Sequence, residues 1–111
     1  MTINQLQKEV FEISTSKGWH DQGHALSELL VLIHSEVSEA VESDRNYEEP
    51  LWYDLSKGGK PEGVVAELAD VVIRVLDTMA VSFPKVDFER VLMQKMDYNK
   101  TRKYRHGNKK Y

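Results

Sequence analysis

The sequence predicts an all-α protein: one four-helix bundle-like domain spanning residues 1–111 that assembles with a second subunit. Three observations predict it. Apolar residues recur at helical spacing in four segments, no segment sustains the alternation of a strand, and 111 residues make one domain and not two. A composition of 41% apolar and 30% charged residues is that of a folded globular chain and excludes disorder.

The first helix runs from about residue 3 to 16. Ile3, Leu6, Val10 and Ile13 fall on one face, Thr2 with Gln5 forms a capping box, and Gly18 ends the segment. The second covers about 25–45, where Leu26, Leu29, Leu30, Ile33, Val37, Ala40 and Val41 make one stripe. The third follows Pro61, a favoured first-turn residue, and runs to about Ser82, with Pro84 as the stop. The fourth starts near Val86 with Asp87 as a cap, carries Phe88, Val91, Leu92 and Met96 on one side, and frays around Lys103. Residues 46–61, rich in Gly, Pro and Asn, form a connection long enough to predict a functional or mobile loop. The third helix is apolar almost all round, more than its neighbours in one small bundle can cover, which predicts a homo-oligomer.

Zero cysteines exclude disulfides, thiolate metal sites and a thiol nucleophile. No signal-peptide pattern and no apolar run near 18 residues is found, so the expectation is a soluble, cytoplasmic protein without a membrane partner. The net charge of -3 divides unevenly: residues 95–111 carry +6 and the first 94 carry -9. Such a split suits either a solvated basic tail or a site that pairs acids for metal with bases for phosphate.

The chemistry concentrates on the third helix. Glu67, Asp70, Arg74 and Asp77 are spaced i, i+3, i+7, i+10 and fall within a strip about 80° wide. On the second helix Glu36 and Glu39 share the i, i+3 spacing, on the flank of the apolar stripe. Residues three apart on a helix lie side by side, so each pair can reach one ion, and carboxylate oxygens suit magnesium, with manganese as the alternative. Without a cation, two carboxylates ~5 Å apart repel by about 3 kcal/mol at an effective dielectric of 20. The plain alternative is a set of solvated acids with Glu67 or Asp70 paired to Arg74. A ferritin-like dimetal site needs Glu-x-x-His, which the chain lacks. The His20-Asp21 pair resembles a phosphohydrolase ligand pair, yet its Gly-flanked turn favours capping by Asp21.

Lys95, Asn99 and Arg102 at i, i+4, i+7 put a lysine, an amide and a guanidinium on one helical face, suited to successive phosphate oxygens. Trp19 can stack on a base or cover the end of the bundle.

The stretches LIHSEVSEAVESDR, KPEGVVAELADVVIRVLD and KMDYNKTRKYRHGNKK resemble the MazG-type all-alpha nucleotide pyrophosphohydrolases over about residues 17–110. The core of the resemblance is Glu36-x-x-Glu39, a spacer, and Glu67-x-x-Asp70, joined to Lys95, Asn99, Arg102 and the His106-Gly107 ending. The 27 residues between Glu39 and Glu67 lie near the long end of the family's spacer. The resemblance implies hydrolysis of a nucleoside triphosphate between its α and β phosphates, with magnesium on Glu36, Glu39, Glu67 and Asp70. It implies phosphate contacts from Lys95, Asn99 and Arg102, and a dimer or dimer of dimers. Glu36 or Glu39 is then the general base. A non-enzymatic nucleic-acid or partner-binding module using the basic C-terminal segment is the competing expectation; it leaves the charged strip of the third helix unexplained. A phosphoribosyl-nucleotide pyrophosphohydrolase of histidine synthesis shares the four carboxylates but differs in its ending.

Overall fold

The computed structural model describes residues 1–111. Four helices occupy the expected segments: α1 (Ile3–Ser16), α2 (Leu26–Arg45), α3 (Val64–Ser82) and α4 (Phe88–Thr101). Their ends follow local chemistry. Thr2 Oγ1 accepts from the Gln5 backbone N–H, and the Thr2 N–H donates to Gln5 Oε1, so the capping box forms. Asp87 Oδ1 accepts from the Arg90 N–H and caps α4. No helix is long and apolar enough to cross a membrane.

The loop expected over residues 46–61 holds a hairpin. Strands β1 (Trp52–Asp54) and β2 (Lys60–Glu62) pair antiparallel, with Trp52 opposite Glu62, Tyr53 opposite Pro61 and Asp54 opposite Lys60. Three residues per strand are too few for alternation to show in a sequence, so the all-α expectation misses this sheet. Pro61, expected to open the third helix, lies in β2, where a two-stranded ribbon leaves an edge that needs no N–H. The helix begins three residues later, behind Gly63 at φ 100. A Cβ on Gly63 would lie 2.5 Å from the Pro50 carbonyl oxygen, and that same oxygen accepts from the Val65 N–H at 2.9 Å. Both ends of the hairpin are thereby fastened to the first turn of α3.

Packing departs from a four-helix bundle. α2 and α3 form the main pair and run antiparallel, α1 lies against α3, and α4 packs on α1 with no substantial contact to α2 or α3. The joint between α1 and α4 is polar: Glu89 Oε1 accepts from the Ile3 N–H at 2.7 Å, and Asn4 Nδ2 donates to Asp87 Oδ1 at 2.8 Å. α4 ends at Thr101, short of the expected Lys103, and Arg105–Asn108 form a left-handed turn.

The buried face of α2 is not the expected stripe. Leu29, Glu36, Ala40 and Ser43 face inward, while Leu30, Val37 and Val41 stand 45–53% exposed. On α3, Val65, Leu68 and Val72 are similarly open, at 48–52%. Only eight of 111 residues are buried, and the surface is 8892 Å² where a compact chain of this mass exposes about 6,300 Å². The radius of gyration, 16.6 Å, exceeds the roughly 13 Å of a compact chain of this length.

Gly63→Ala is expected to destabilise the protein by about 2 kcal/mol or more, since both the positive φ and the Pro50 carbonyl oppose a side chain. Gly58→Ala, also at positive φ but in open space, should cost about 1 kcal/mol. Urea unfolding of the two variants measures the difference.

Candidate functional site

The antiparallel pairing of α2 and α3 brings the two acidic pairs together. Glu36, Glu67 and Asp70 each place a carboxylate oxygen within 4.8 Å of the others. Glu36 is only 8% exposed and sits in the centre of the α2 face, not on its flank as the apolar pattern suggests. Its partner is Arg74, whose Nε donates to Glu36 Oε1 at 2.9 Å. The alternative reading of solvated acids pairs Arg74 with Glu67 or Asp70 on its own helix; it reaches across to α2 instead. The guanidinium's other two nitrogens have no protein partner.

Glu67 lacks such relief. Its Oε2 is buried with no hydrogen-bond partner. Burial first, then a hydrogen bond and Coulomb repulsion from Glu39, and then Asp70 and Glu36, push its carboxyl from 4.5 up to about 7. A hydrogen bond between two carboxyls needs a proton on one of them, and the raised value lets Glu67 carry one below about 7. Asp70 is raised too, by burial and then Glu36, with Arg74 and Lys60 pulling it back. Glu39 is therefore a neighbour of Glu67, while the three oxygens that converge belong to Glu36, Glu67 and Asp70.

An orphaned buried oxygen on a hard, anionic donor set is the chemistry that a divalent cation with oxygen preference satisfies. The four acids fit magnesium or manganese, with Glu36, Glu67 and Asp70 as the convergent set and Glu39 alongside.

The other expected residues are placed differently. Lys95 and Asn99 lie on α4, away from the α2–α3 pair, so one chain does not bring them to the carboxylates. Arg102 follows the helix in extended conformation as its C-cap, which breaks the single face expected for the three. The sequence offered no signal for the cation that does lie near the acids. Lys60 of β2 bonds Glu62 Oε1 at 3.1 Å, and its pKa is raised first by that hydrogen bond and also by Glu67 and Asp70. His20 pairs with Asp77 at 3.0 Å, not with Asp21, and α2 is capped at Ala25, not by Asp21. A cavity of about 420 Å³ lies between α1, α2 and α3, and both Glu36 and Asp70 are among its lining residues. Trp19, 63% exposed, stands at this cavity.

No protein-family model, curated protein or solved structure matches the chain.

The raised pKa of Glu67 fixes a pH dependence for the metal-free protein. The folded state holds a proton that the unfolded state releases at 4.5, so folding binds more protons between 4.5 and about 7. The contribution of this group to stability is fully present below 4.5 and is lost as pH rises to about 7. Glu67→Gln, which cannot ionise, should flatten this fall and leave the metal-free fold equally or more stable at neutral pH. Thermal melts from pH 4 to 8 in chelator test this; an unchanged slope in the variant contradicts it.

Proposed function

We propose that this chain is a magnesium-dependent nucleoside triphosphate pyrophosphohydrolase, the activity implied by its resemblance to MazG-type enzymes. The observation that carries the reading is the buried, partnerless Glu67 oxygen among converging carboxylates at the edge of a cavity large enough for a small ligand.

In this reading Glu36, Glu67 and Asp70 hold the cation, and Glu39 stands beside them. Magnesium, when bound, neutralises triphosphate charge, polarises phosphorus and makes an attacking water more acidic. Glu39, outside the convergent three, accepts the water's proton as the water oxygen bonds to the α phosphorus and the bond to the bridging oxygen of pyrophosphate breaks. Arg74, with two free guanidinium nitrogens, and Lys60 on the hairpin supply positive charge for phosphate oxygens. The adjoining cavity receives the nucleoside, with Trp19 positioned to stack on its base.

The chain works as a homodimer or a dimer of dimers. About 2,600 Å² of surface beyond that of a compact chain is the scale an obligate interface covers. The open residues of α2 and α3 and the unsupported α4 are what a second copy would cover. Lys95, Asn99 and Arg102, remote from the acids of their own chain, meet a triphosphate across that interface.

The expected outcome is pyrophosphate release from nucleoside triphosphates that requires magnesium and stops in excess chelator. Turnover that survives chelation refutes the metal reading, and salt-sensitive nucleic-acid binding without pyrophosphate release favours the binding-module alternative. Glu67→Gln and Lys95→Ala should each lose most activity, roughly a hundredfold or more for the acid. Light scattering should give the mass of two or four chains at micromolar concentration. Mixing the two inactive variants should restore part of the activity if the sites are shared between chains.

A further inference from the structure

The cavity beside the carboxylates carries a polar group that hydrolysis does not use. Much of its wall is apolar, from Val10 and Ile13 of α1, Leu29 and Leu32 of α2 and Ile73 of α3. Asp77 of α3, two turns beyond Asp70, and Ser14 of α1 interrupt that wall. Ser14 Oγ donates to Asp77 Oδ1 at 2.7 Å, and His20 Nε2 lies 3.0 Å from Asp77 Oδ2 and 3.1 Å from Oδ1. The His20 and Asp77 side chains keep only 14% and 18% of their exposure. A carboxylate accepts and does not donate, so the ring hydrogen of His20 sits on Nε2. A carboxylate can accept about four hydrogen bonds. Ser14 and His20 make three contacts to Asp77, which leaves about one acceptor position on a residue that lines the cavity.

We infer that Asp77 reads the base: the cavity takes the nucleobase of the triphosphate and selects rings that bear an exocyclic amine over rings that bear a carbonyl in its place. The inference rests on the pyrophosphohydrolase reading, because phosphates held at Glu36, Glu67 and Asp70 leave the base to enter the adjoining cavity. An amine N–H donates to the free acceptor position of Asp77. A ring carbonyl in the same position sets acceptor against acceptor beside apolar walls. Ser14 and His20 act as positioning residues, holding the carboxylate in one orientation so that it cannot turn away from a mismatched ring.

Cytidine and uridine triphosphates form one matched pair for the test, and adenosine and inosine triphosphates form another. Within each pair the amine is exchanged for a carbonyl and ring size is constant, so comparing pairs separates pyrimidine from purine acceptance. The wild-type protein should favour the amine member by about tenfold or more in kcat/KM, in whichever pair is turned over faster. Asp77→Asn, which can present an N–H, should abolish or reverse that preference. A wild-type preference below about threefold overturns the inference, as does an Asp77→Asn variant that lowers all four rates by one common factor, the mark of a purely structural tie. Ser14→Ala retains the carboxylate and should relax the ratio; it serves if Asp77→Asn does not fold, and an unchanged ratio refutes the positioning role.

Binding of cytidine, uridine, adenosine and inosine to the metal-free wild-type protein, followed by NMR titration, is independent of hydrolysis. Amine-selective nucleoside binding without pyrophosphate release would overturn the hydrolase reading and leave the selectivity standing. Hydrolysis without amine preference would overturn the selectivity alone. Neither binding nor hydrolysis would overturn both.

Discussion

Negative charge gathered along the seam between α2 and α3 is the constraint on which the rest of this structure depends. Two carboxylates 4.8 Å apart repel by about 3 kcal/mol at an effective dielectric of 20, and the cluster contains three with a fourth alongside. The chain offsets this in two ways at once. Arg74 crosses from α3 to neutralise Glu36 where burial is deepest, and burial raises the Glu67 carboxyl to about 7, so that it sheds its charge below that pH. The first device also ties α2 to α3, because the Arg74–Glu36 bond joins a residue of one helix to a residue of the other. The resulting seam is held by polar contacts where a small bundle would ordinarily use leucines.

That choice explains the thin core. Leu29, Ala40, Leu76 and Val10 are the only buried apolar residues, and the positions that would have enlarged the core stand open on the outer sides of α2 and α3. The charged strip of α3 meets α2 and α1 through Arg74 and Asp77, while Val65, Leu68 and Val72 lie on the opposite side of that helix. Charge inside and hydrocarbon outside is unfavourable for an isolated chain.

The helices were legible in the sequence because their ends are written in local chemistry: Thr2 with Gln5, Asp87, and the spacing of leucines and valines on α2. The acidic cluster was legible because i, i+3 spacing on two helices survives any rotation that turns them toward each other. The orientation of α2 was not. A periodicity argument gathers every apolar residue into one face and centres the helix there, so Glu36 read as a flank when it is the middle. The hairpin lay below the length at which alternation can be seen, and its start at Trp52 followed turn formers that equally describe a loop. The Ser14–His20–Asp77 contact joins residues 63 and 57 positions apart in the chain. Asp77 was visible on the strip, but nothing local marks Ser14 as its partner, and His20 beside Asp21 suggested the nearer acid.

The polar joint at the start of α4 has a mechanical consequence. The N-termini of α1 and α4 meet there, both with donors in need of acceptors, and Glu89 and Asp87 serve the two helices together. From that joint the helix extends 14 residues, about 21 Å, with little beneath it. Its geometry is that of a lever pinned at one end: a tilt of roughly 10° at Asp87 would carry the far end through about 4 Å. The fulcrum is specified by this chain alone, whereas the reach of Lys95 and Asn99 is set by whatever surface the lever comes to rest on.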